Sequence, residues 1–324
     1  MQSKIRLAKT IQELLRCPIC KTKLELHGEH YKCKNHECNS LFPIINNIPV
    51  LIDEDSSLFS IDDFVDQRQT FFNLSSKSNK LKETLRKFFP DISKNIKARD
   101  NYEKLAKLLL EQSSNPKVLV IGGSVLGNGM EAILAYPTIE LVESDISFGL
   151  RTTLICDAHS IPFEDNSFDA IIVQAVLEHV VDPFKCVEEI YRVLKEDGLA
   201  YAETPFMQQV HGGCYDFTRF TYLGHRRLFR RFAEIESGAV CGPGMALAWS
   251  YQYFLLSFAT PKFLRKFIRV FARLTSFYLK YLDYLLINNV GTLDGASAYY
   301  FMGRKSTRVL SDKELIKLYK GSLK

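Results

Sequence analysis

Lys117-Val118-Leu119-Val120-Ile121-Gly122-Gly123-Ser124 decides how this chain folds. An apolar, β-branched run of this length, closed by turn formers, reads as a strand buried on both faces, the kind found inside parallel sheets. Gly127 and Gly129 follow, and then a helical stretch from Met130. Glycines let backbone approach a ligand closely, and the start of a helix offers unpaired N–H groups, so a nucleotide-like ligand fits this turn. The spacing is not Gly-x-Gly-x-x-Gly, and structural glycines are common, so the sequel carries the weight.

That sequel repeats the strand-then-turn pattern. Residues 139–142 read as a second short strand, followed by Glu143-Ser144-Asp145. An acid about twenty residues beyond a glycine turn can accept both hydroxyls of a ribose; a turn former is the plainer reading of Asp145. Next come Leu154-Ile155-Cys156-Asp157-Ala158-His159, then Phe168-Asp169-Ala170-Ile171-Ile172-Val173, then Gln174-Ala175-Val176-Leu177-Glu178-His179-Val180. An amphipathic helix over 185–194, a turn at Lys195-Glu196-Asp197-Gly198 and a strand over 199–203 complete the series. Strands alternating with helices predict an α/β sheet, mostly parallel, with helices on both faces and ligands at the carboxyl ends of the strands.

This succession, over roughly residues 100–205, resembles the class I S-adenosylmethionine-dependent methyltransferases, the family of biosynthetic O-, N- and C-methylating enzymes with a Rossmann-like sheet. The resemblance implies that Gly122, Gly123 and Ser124 lie against the methionine portion of S-adenosylmethionine, with Gly127 a further cofactor-side candidate in the same loop, and that Asp145 holds its ribose. It implies further that Asp157 accepts the adenine amino hydrogen, with Ala158 and His159 beside the ring. Gln174 and Ala175 would face the methionyl end. The loop Gly-Gly-Ser-Val-Leu-Gly-Asn-Gly is longer than the family's Gly-x-Gly-x-Gly, which leaves the roles of Gly127 and Gly129 open.

Four of the eight cysteines, Cys17, Cys20, Cys33 and Cys38, cluster near the N-terminus. Two thiolates separated by two residues can turn toward one ion, and four protein ligands leave zinc no open position, so the pattern points to a structural site. His36 is an alternative ligand. Unrelated thiols and a redox Cys-x-x-Cys are the competing readings, the latter without the βαβ context such motifs need. Residues 41–52 then read as two short strands around Asn46-Asn47. The stretch 15–53 resembles the small zinc-ribbon family that activates tRNA and protein methyltransferases. What that implies is stabilisation of, or substrate presentation to, a methyltransferase.

After the fifth strand, residues 204–221 concentrate His211, Asp216, Arg219 and several aromatics where they should overhang the cofactor. His211 is the first candidate base for a hydroxyl acceptor, with Asp216 to orient it, and His179 is the second. Loop residues of these types also bond to their own backbone, and an activated sulfonium needs alignment more than a base. No Asn-Pro-Pro-Tyr or Asp-Pro-Pro-Tyr follows the fourth strand, which counts against amino-group methylation of adenine or glutamine. The tract 205–229 resembles bacterial methyltransferases associated with cell-surface polysaccharide or glycolipid gene sets.

Residues 237–261 carry no charge but are too interrupted by glycine, proline and polar groups for a spanning helix. Beyond them Lys262, Arg265, Lys266, Arg269, Arg273 and Lys280 share one helical arc opposite Phe267, Phe271, Leu274 and Tyr278. The first reading is a cap helix packed on the sheet with its basic face solvated. Peripheral membrane contact through residues 262–282 is the second, and RNA the third.

The expected organisation is a ribbon over 1–55, a helical connector over 56–100 with phenylalanine pairs at 71–72 and 88–89, and a methyltransferase domain over 101–310. The last contains a helical insertion at about 242–292, and residues 311–324 form a final helix opened by the capping box Ser311-Asp312-Lys313-Glu314. With 324 residues, 46% hydrophobic and 24% charged, the chain has the composition of a globular protein. A net charge of +5, scattered along the chain, gives no nucleic-acid footprint. Residues 1–16 lack the apolar segment of a secretion signal, and the expected location is cytoplasmic, with membrane association under the second reading of 262–282. The expected activity is methylation of a small molecule or a cell-surface glycan or glycolipid precursor. The alternatives are an RNA or protein methyltransferase with its ribbon activator in cis, and a non-catalytic zinc-containing scaffold.

Overall fold

The computed structural model describes residues 5–68, 70 and 90–322. The chain opens with one helical turn, α1 (Lys9–Gln12), and four antiparallel strands: β1 (Leu24–His27), β2 (His30–Cys33), β3 (Leu41–Ile45) and β4 (Ile48–Leu51). Of the helical pattern expected over residues 1–16, the described residues 5–16 form only this turn. Its continuation is extended instead, because Leu15 bridges Phe163 and the Arg16 amide donates to the Pro162 carbonyl. Between β3 and β4, Asn46 and Asn47 both take positive φ, 53° and 66°, the geometry of a two-residue hairpin turn whose twist matches its strands.

A short helix, α2 (Ile61–Val65), and the longer α3 (Ala98–Gln112) are the described helices of the connector region; the phenylalanine pairs at 71–72 and 88–89 lie outside the described residues. Asn95 Oδ1 accepts the Ala98 amide at the start of α3. Its Tyr102, Leu105, Ala106 and Leu109, spaced for one helical face, are fully buried. Truncating Leu105 to alanine there costs about 2–5 kcal/mol.

The remaining strands are β5 (Lys117–Ile121), β6 (Glu140–Asp145), β7 (Leu154–Cys156), β8 (Phe168–Gln174), β9 (Leu194–Pro205), β10 (Phe232–Cys241) and β11 (Ala298–Lys305). Among the described residues they join one sheet of order β1-β2-β3-β4-β7-β6-β5-β8-β9-β11-β10. From β4 to β9 neighbours run parallel, and β11 lies antiparallel between β9 and β10. The chain moves outward from β5 through β6 to β7, then returns to β8 on the other side. That reversal opens a crevice at the carboxyl ends of β5 and β8, the place where open α/β sheets bind ligands.

Period-two alternation builds a layer on each face. Val118 and Val120 of β5 pack with α3, whereas Leu119 and Ile121 face the opposite core with Ile190 and Val193 of helix α5 (Pro183–Val193). Asp182 caps α5, its Oδ1 accepting the amides of Phe184 and Lys185. The helix expected from Met130 is only a single turn, α4 (Glu131–Leu134). Lys195 to Gly198 belong to an irregular stretch of β9, with Asp197 at φ 59°, rather than to a turn between separate elements.

The four N-terminal strands and the α/β part share the sheet. Val50 and Leu51 of β4 pair in parallel with Ile155 and Cys156 of β7, so β1 to β4 continue the sheet of the α/β part. Four helices fill the segment between β10 and β11: after α6 (Tyr222–Leu228) these are α7 (Pro243–Leu256), α8 (Lys262–Ser276), α9 (Leu279–Leu286) and a turn at Thr292–Gly295. No helix among the described residues is long and apolar enough to cross a membrane.

The cap-helix expectation for residues 262–282 does not hold. The helix ends at Ser276, and Lys280 on α9 is buried with its Nζ donating to the Asp91 carbonyl. The seam of α8 is made by Ala272 and Ser276, while Phe263 and Phe267 stand 76% and 68% exposed. The apolar stripe therefore faces outward.

Candidate functional site

A cavity of about 440 Å³ sits at the crevice, lined by the glycine loop, by the ends of β6, β7, β8 and β9, and by the segment around Leu58 and Phe59. Gly122 begins the loop at φ 79°, a conformation that penalises any Cβ, and the Gly122 and Gly123 amides both bond to the Ser144 carbonyl. A Cβ on Gly127 would collide with Gln174 Oε1. Glycine is required there so that the Gln174 side chain can cross under the loop, its Nε2 donating to the Asn128 carbonyl (3.0 Å) and to Glu203 Oε2 (2.9 Å). That gives Gly127 a structural reason which its spacing alone left open.

Two buried carboxylates face this cavity. Asp145 Oδ2 accepts the Ser124 amide at 2.9 Å and Oδ1 the Ser147 amide at 2.9 Å, so the acid points toward the glycine loop. Burial pushes its carboxyl above the ordinary aspartate value despite those bonds. Asp157 Oδ1 accepts both the amide and Nδ1–H of His159, and Oδ2 accepts the Ser57 hydroxyl at 2.6 Å. Burial works against its ionisation, but these bonds outweigh it and hold Asp157 below the ordinary range. His159 is fixed at both nitrogens, since Nε2 accepts the Asp182 amide. Ala158 lines the cavity beside it, and Ala175, at the end of β8, takes φ 54° with its amide on the Glu203 carbonyl.

Glu203 and Glu178 were not singled out by the sequence reading. Glu203 accepts from Tyr201, Gln174 and Asn95, and burial pushes its pKa up to about 7. The signal available was a carboxylate in an otherwise apolar buried strand, where an acid persists only with partners or a task. Glu178 is fully buried and lines the cavity together with His179 and His211.

The acceptor-side tract sorts differently from expectation. Its loop is tied to the Glu178 carbonyl through the amides of Phe217 and Thr218. His211 and His179 reach the cavity and meet edge to face, 4.9 Å between ring centroids. Asp216 does not line it: its carboxylate is committed to the His211 and Gly212 amides and to the Arg219 guanidinium, and its nearest oxygen is 3.7 Å from His211 Nδ1. Asp216 shapes the loop and does not hydrogen-bond the imidazole. Burial lowers His179 below the ordinary histidine value, whereas Glu178 draws His211 up despite burial.

Outside the cavity, the four N-terminal sulfurs converge within 4.8 Å of one another. Cys17 to Cys38 is 3.8 Å and Cys20 to Cys33 is 3.4 Å. Sulfurs about 2.3 Å from a tetrahedral zinc lie roughly 3.8 Å apart, so the cluster fits that ion. His36 is not part of it.

Residues 131–202 match the methyltransferase-domain family. Curated relatives include the ubiquinone/menaquinone biosynthesis C-methyltransferase UbiE of Desulfotalea psychrophila, 43% identical over 87 residues, which is 26% of this chain and 34% of that protein. The UbiE of Stenotrophomonas maltophilia is 36% identical over 84 residues, 26% of this chain and 33% of that protein. The chain thus spans about a third of the length of the relatives it matches. Among solved structures, a putative sarcosine dimethylglycine methyltransferase from Galdieria sulphuraria is 15% identical, covering 76% of this chain and 98% of that one at a TM-score of 0.40. The segment that forms β6 through most of β9 therefore carries a methyltransferase-domain sequence on a Rossmann-like parallel sheet.

Proposed function

We propose that the chain is an S-adenosylmethionine-dependent methyltransferase acting on a small amphipathic acceptor, a cell-surface glycan or glycolipid precursor. The observation that carries the reading is the pair Asp145 and Asp157, facing one cavity from adjacent strand ends beside the glycine turn. Bound S-adenosylmethionine supplies an activated methyl group. Toward it Asp145 accepts the ribose hydroxyls, and Asp157 accepts the adenine amino hydrogen with Ala158 and His159 against the ring. The Gly122 to Ser124 turn and Gly127 leave room for the methionine portion, and Gln174 and Ala175 bound its far end. The match over residues 131–202 supports this chemistry; it includes Asp145, Asp157, Ala158, His159, Gln174 and Ala175 but neither the glycine loop at 122–129 nor the loop at 204–221, so the acceptor named for the relatives does not carry over.

The four cysteines hold a structural zinc and the ribbon stiffens the sheet in cis. The acceptor-side loop leans on the insertion: Tyr253 of α7 donates to the Val210 carbonyl, and Gln209 Nε2 to Ser250 Oγ. Through α7 it is joined to the outward apolar stripe of α8, which favours an acceptor with a lipid portion and a protein seated at a membrane surface.

Calorimetric titration with S-adenosylmethionine tests the cofactor reading. Micromolar binding is expected for the parent, with Asp145→Ala and Asp157→Ala each at least tenfold weaker, the size of one charge-assisted hydrogen bond. Equal affinity in both variants would sink it. Comparative lipid and metabolite mass spectrometry of a deletion strain, searching for a species that loses one methyl increment, tests the acceptor. Copurified RNA with steep salt dependence would move the acceptor to nucleic acid instead.

A further inference from the structure

Glu178, His179 and His211 converge at the acceptor side of the cavity with their ligand atoms within 4.8 Å of one another. Glu178 has no solvent exposure, and neither of its carboxylate oxygens has a hydrogen-bond partner. A carboxyl group taken wholly out of water needs hydrogen-bond donors, a proton or a cation to compensate it, and among the described residues Glu178 has no donor within hydrogen-bond distance. Oε1 lies 3.6 Å from His179 Nε2 and 3.7 Å from His211 Nε2. These separations are too long for hydrogen bonds and match the edges of a coordination polyhedron, in which ligands about 2.1 Å from an ion stand roughly 3.4 Å apart.

The far nitrogens of both rings are engaged as metal-ligating histidines require. His179 Nδ1 donates to the Tyr215 carbonyl at 2.8 Å and His211 Nδ1 to the Gln209 carbonyl at 3.2 Å. A carbonyl only accepts, so the proton sits on Nδ1 and the Nε2 lone pair is directed at Glu178; carbonyl-anchored rings of this kind orient metal ligands. Arg219 also comes within 3.5 Å of His211 Nδ1, but the same Nη2 already serves the Gln209 carbonyl and Asp216. The loop anchored to the Glu178 backbone brings His211 into place, so the three ligands come from two segments locked to each other.

We propose that Glu178, His179 and His211 form a binding site for a divalent transition metal, of the two-histidine, one-carboxylate type with open positions for an oxygen ligand. Imidazole and carboxylate together suit zinc and its first-row neighbours rather than magnesium or calcium. The open positions face the cavity, where they take a hydroxyl, vicinal diol or carboxylate oxygen of the acceptor. Metal binding stands on the cluster alone; its role toward a methyl acceptor rests on the reading given under Proposed function.

The test is zinc stoichiometry. Full-length protein is dialysed against excess Zn²⁺, desalted and analysed for zinc per chain, with S-adenosylmethionine affinity measured calorimetrically on the same samples. The parent is expected to retain one equivalent more than His211→Ala, whatever the cysteine cluster holds. Glu178→Gln is expected to lose the same equivalent, and His211→Ala keeps the test valid should that buried change disturb folding. Equal zinc in the parent and His211→Ala overturns the site and leaves a proton shared between Glu178 and the histidines. Absence of cofactor binding in all samples would instead strike the methyltransferase reading, so the two failures are told apart.

Discussion

Ser160 Oγ donates to the Pro18 carbonyl at 2.5 Å, which ties the loop after Asp157 to the turn between Cys17 and Cys20. Lys21, next to Cys20, strengthens the tie by bonding Ser160 Oγ at 2.8 Å and Glu189 of α5 at 3.1 Å. The segment proposed to read adenine is therefore braced by a turn whose shape depends on the four sulfurs. Stripping zinc, or replacing Cys20 by serine, should loosen that brace without touching a cofactor contact. Two hydrogen bonds at a net ~1 kcal/mol each predict a loss of cofactor affinity of up to about thirtyfold. Calorimetry before and after chelation measures it, and an unchanged affinity in a demonstrably zinc-free sample would show that the ribbon and the pocket are uncoupled.

Gly127→Ala should be disproportionately damaging for so small a change. The added methyl would collide with the Gln174 amide, which cannot swing aside without releasing both the Asn128 carbonyl and Glu203. Overpacking of this kind costs about 1–3 kcal/mol. Cofactor affinity should fall with it, because the loop must rise off β8. The double change Gly127→Ala with Gln174→Ala removes the collision, so urea denaturation should show recovery of part of the lost stability. No recovery would mean that the loop is strained for another reason.

The parallel core was legible because burial on both faces writes a continuous apolar run, as in residues 117–121, and each run ended in an acid or a turn former. The pairing of β4 with β7 was not legible. Val50 and Ile155 are more than a hundred residues apart, and a parallel partner leaves no local mark in either strand. The short α4 was misjudged since Gly129, at φ 83° against the Ala98 backbone, delays the helix. For α8, periodicity revealed two faces but not which one would be buried; small residues, Ala272 and Ser276, made the seam, and the larger stripe was left outside. His179 and His211 were found from residue type and position, whereas Glu178 and Glu203 read as ordinary strand and helix-boundary residues until burial made their charge expensive.

Glu203 predicts a definite pH dependence. Burial raises its pKa from an ordinary 4.5 to about 7. Between those values the native state keeps a proton that the unfolded chain has released, so the unfolded state binds fewer protons and stability falls as pH rises. The contribution is complete below pH 4.5 and is lost as pH passes through about 7. At 1.36 kcal/mol per unit the full shift amounts to roughly 3 kcal/mol. Glu203→Gln removes the titration but keeps the shape. The stability of the parent relative to this variant should therefore drop by up to about 3 kcal/mol between pH 5 and pH 8 in urea melts. A constant difference across that range would mean that Glu203 ionises normally in the folded protein.

The outward face of α8 predicts attachment to anionic bilayers. Phe263 and Phe267 lie on the exposed stripe with Phe271 and Leu274, and Lys262, Lys266 and Arg269 are exposed along the same helix. Aromatic side chains enter the headgroup boundary while cations at their flank meet acidic lipid, each cation worth about 1 kcal/mol near such a surface. Sedimentation with vesicles containing phosphatidylglycerol should capture the protein, and pure phosphatidylcholine should capture much less. Salt should weaken the first interaction, as screening demands. Phe263→Ser with Phe267→Ser, both at exposed positions that leave the core intact, should reduce binding at least tenfold, since each phenylalanine buried in the interface contributes about 1.5–3 kcal/mol. Equal sedimentation of parent and double variant would show that the apolar stripe serves some partner other than lipid.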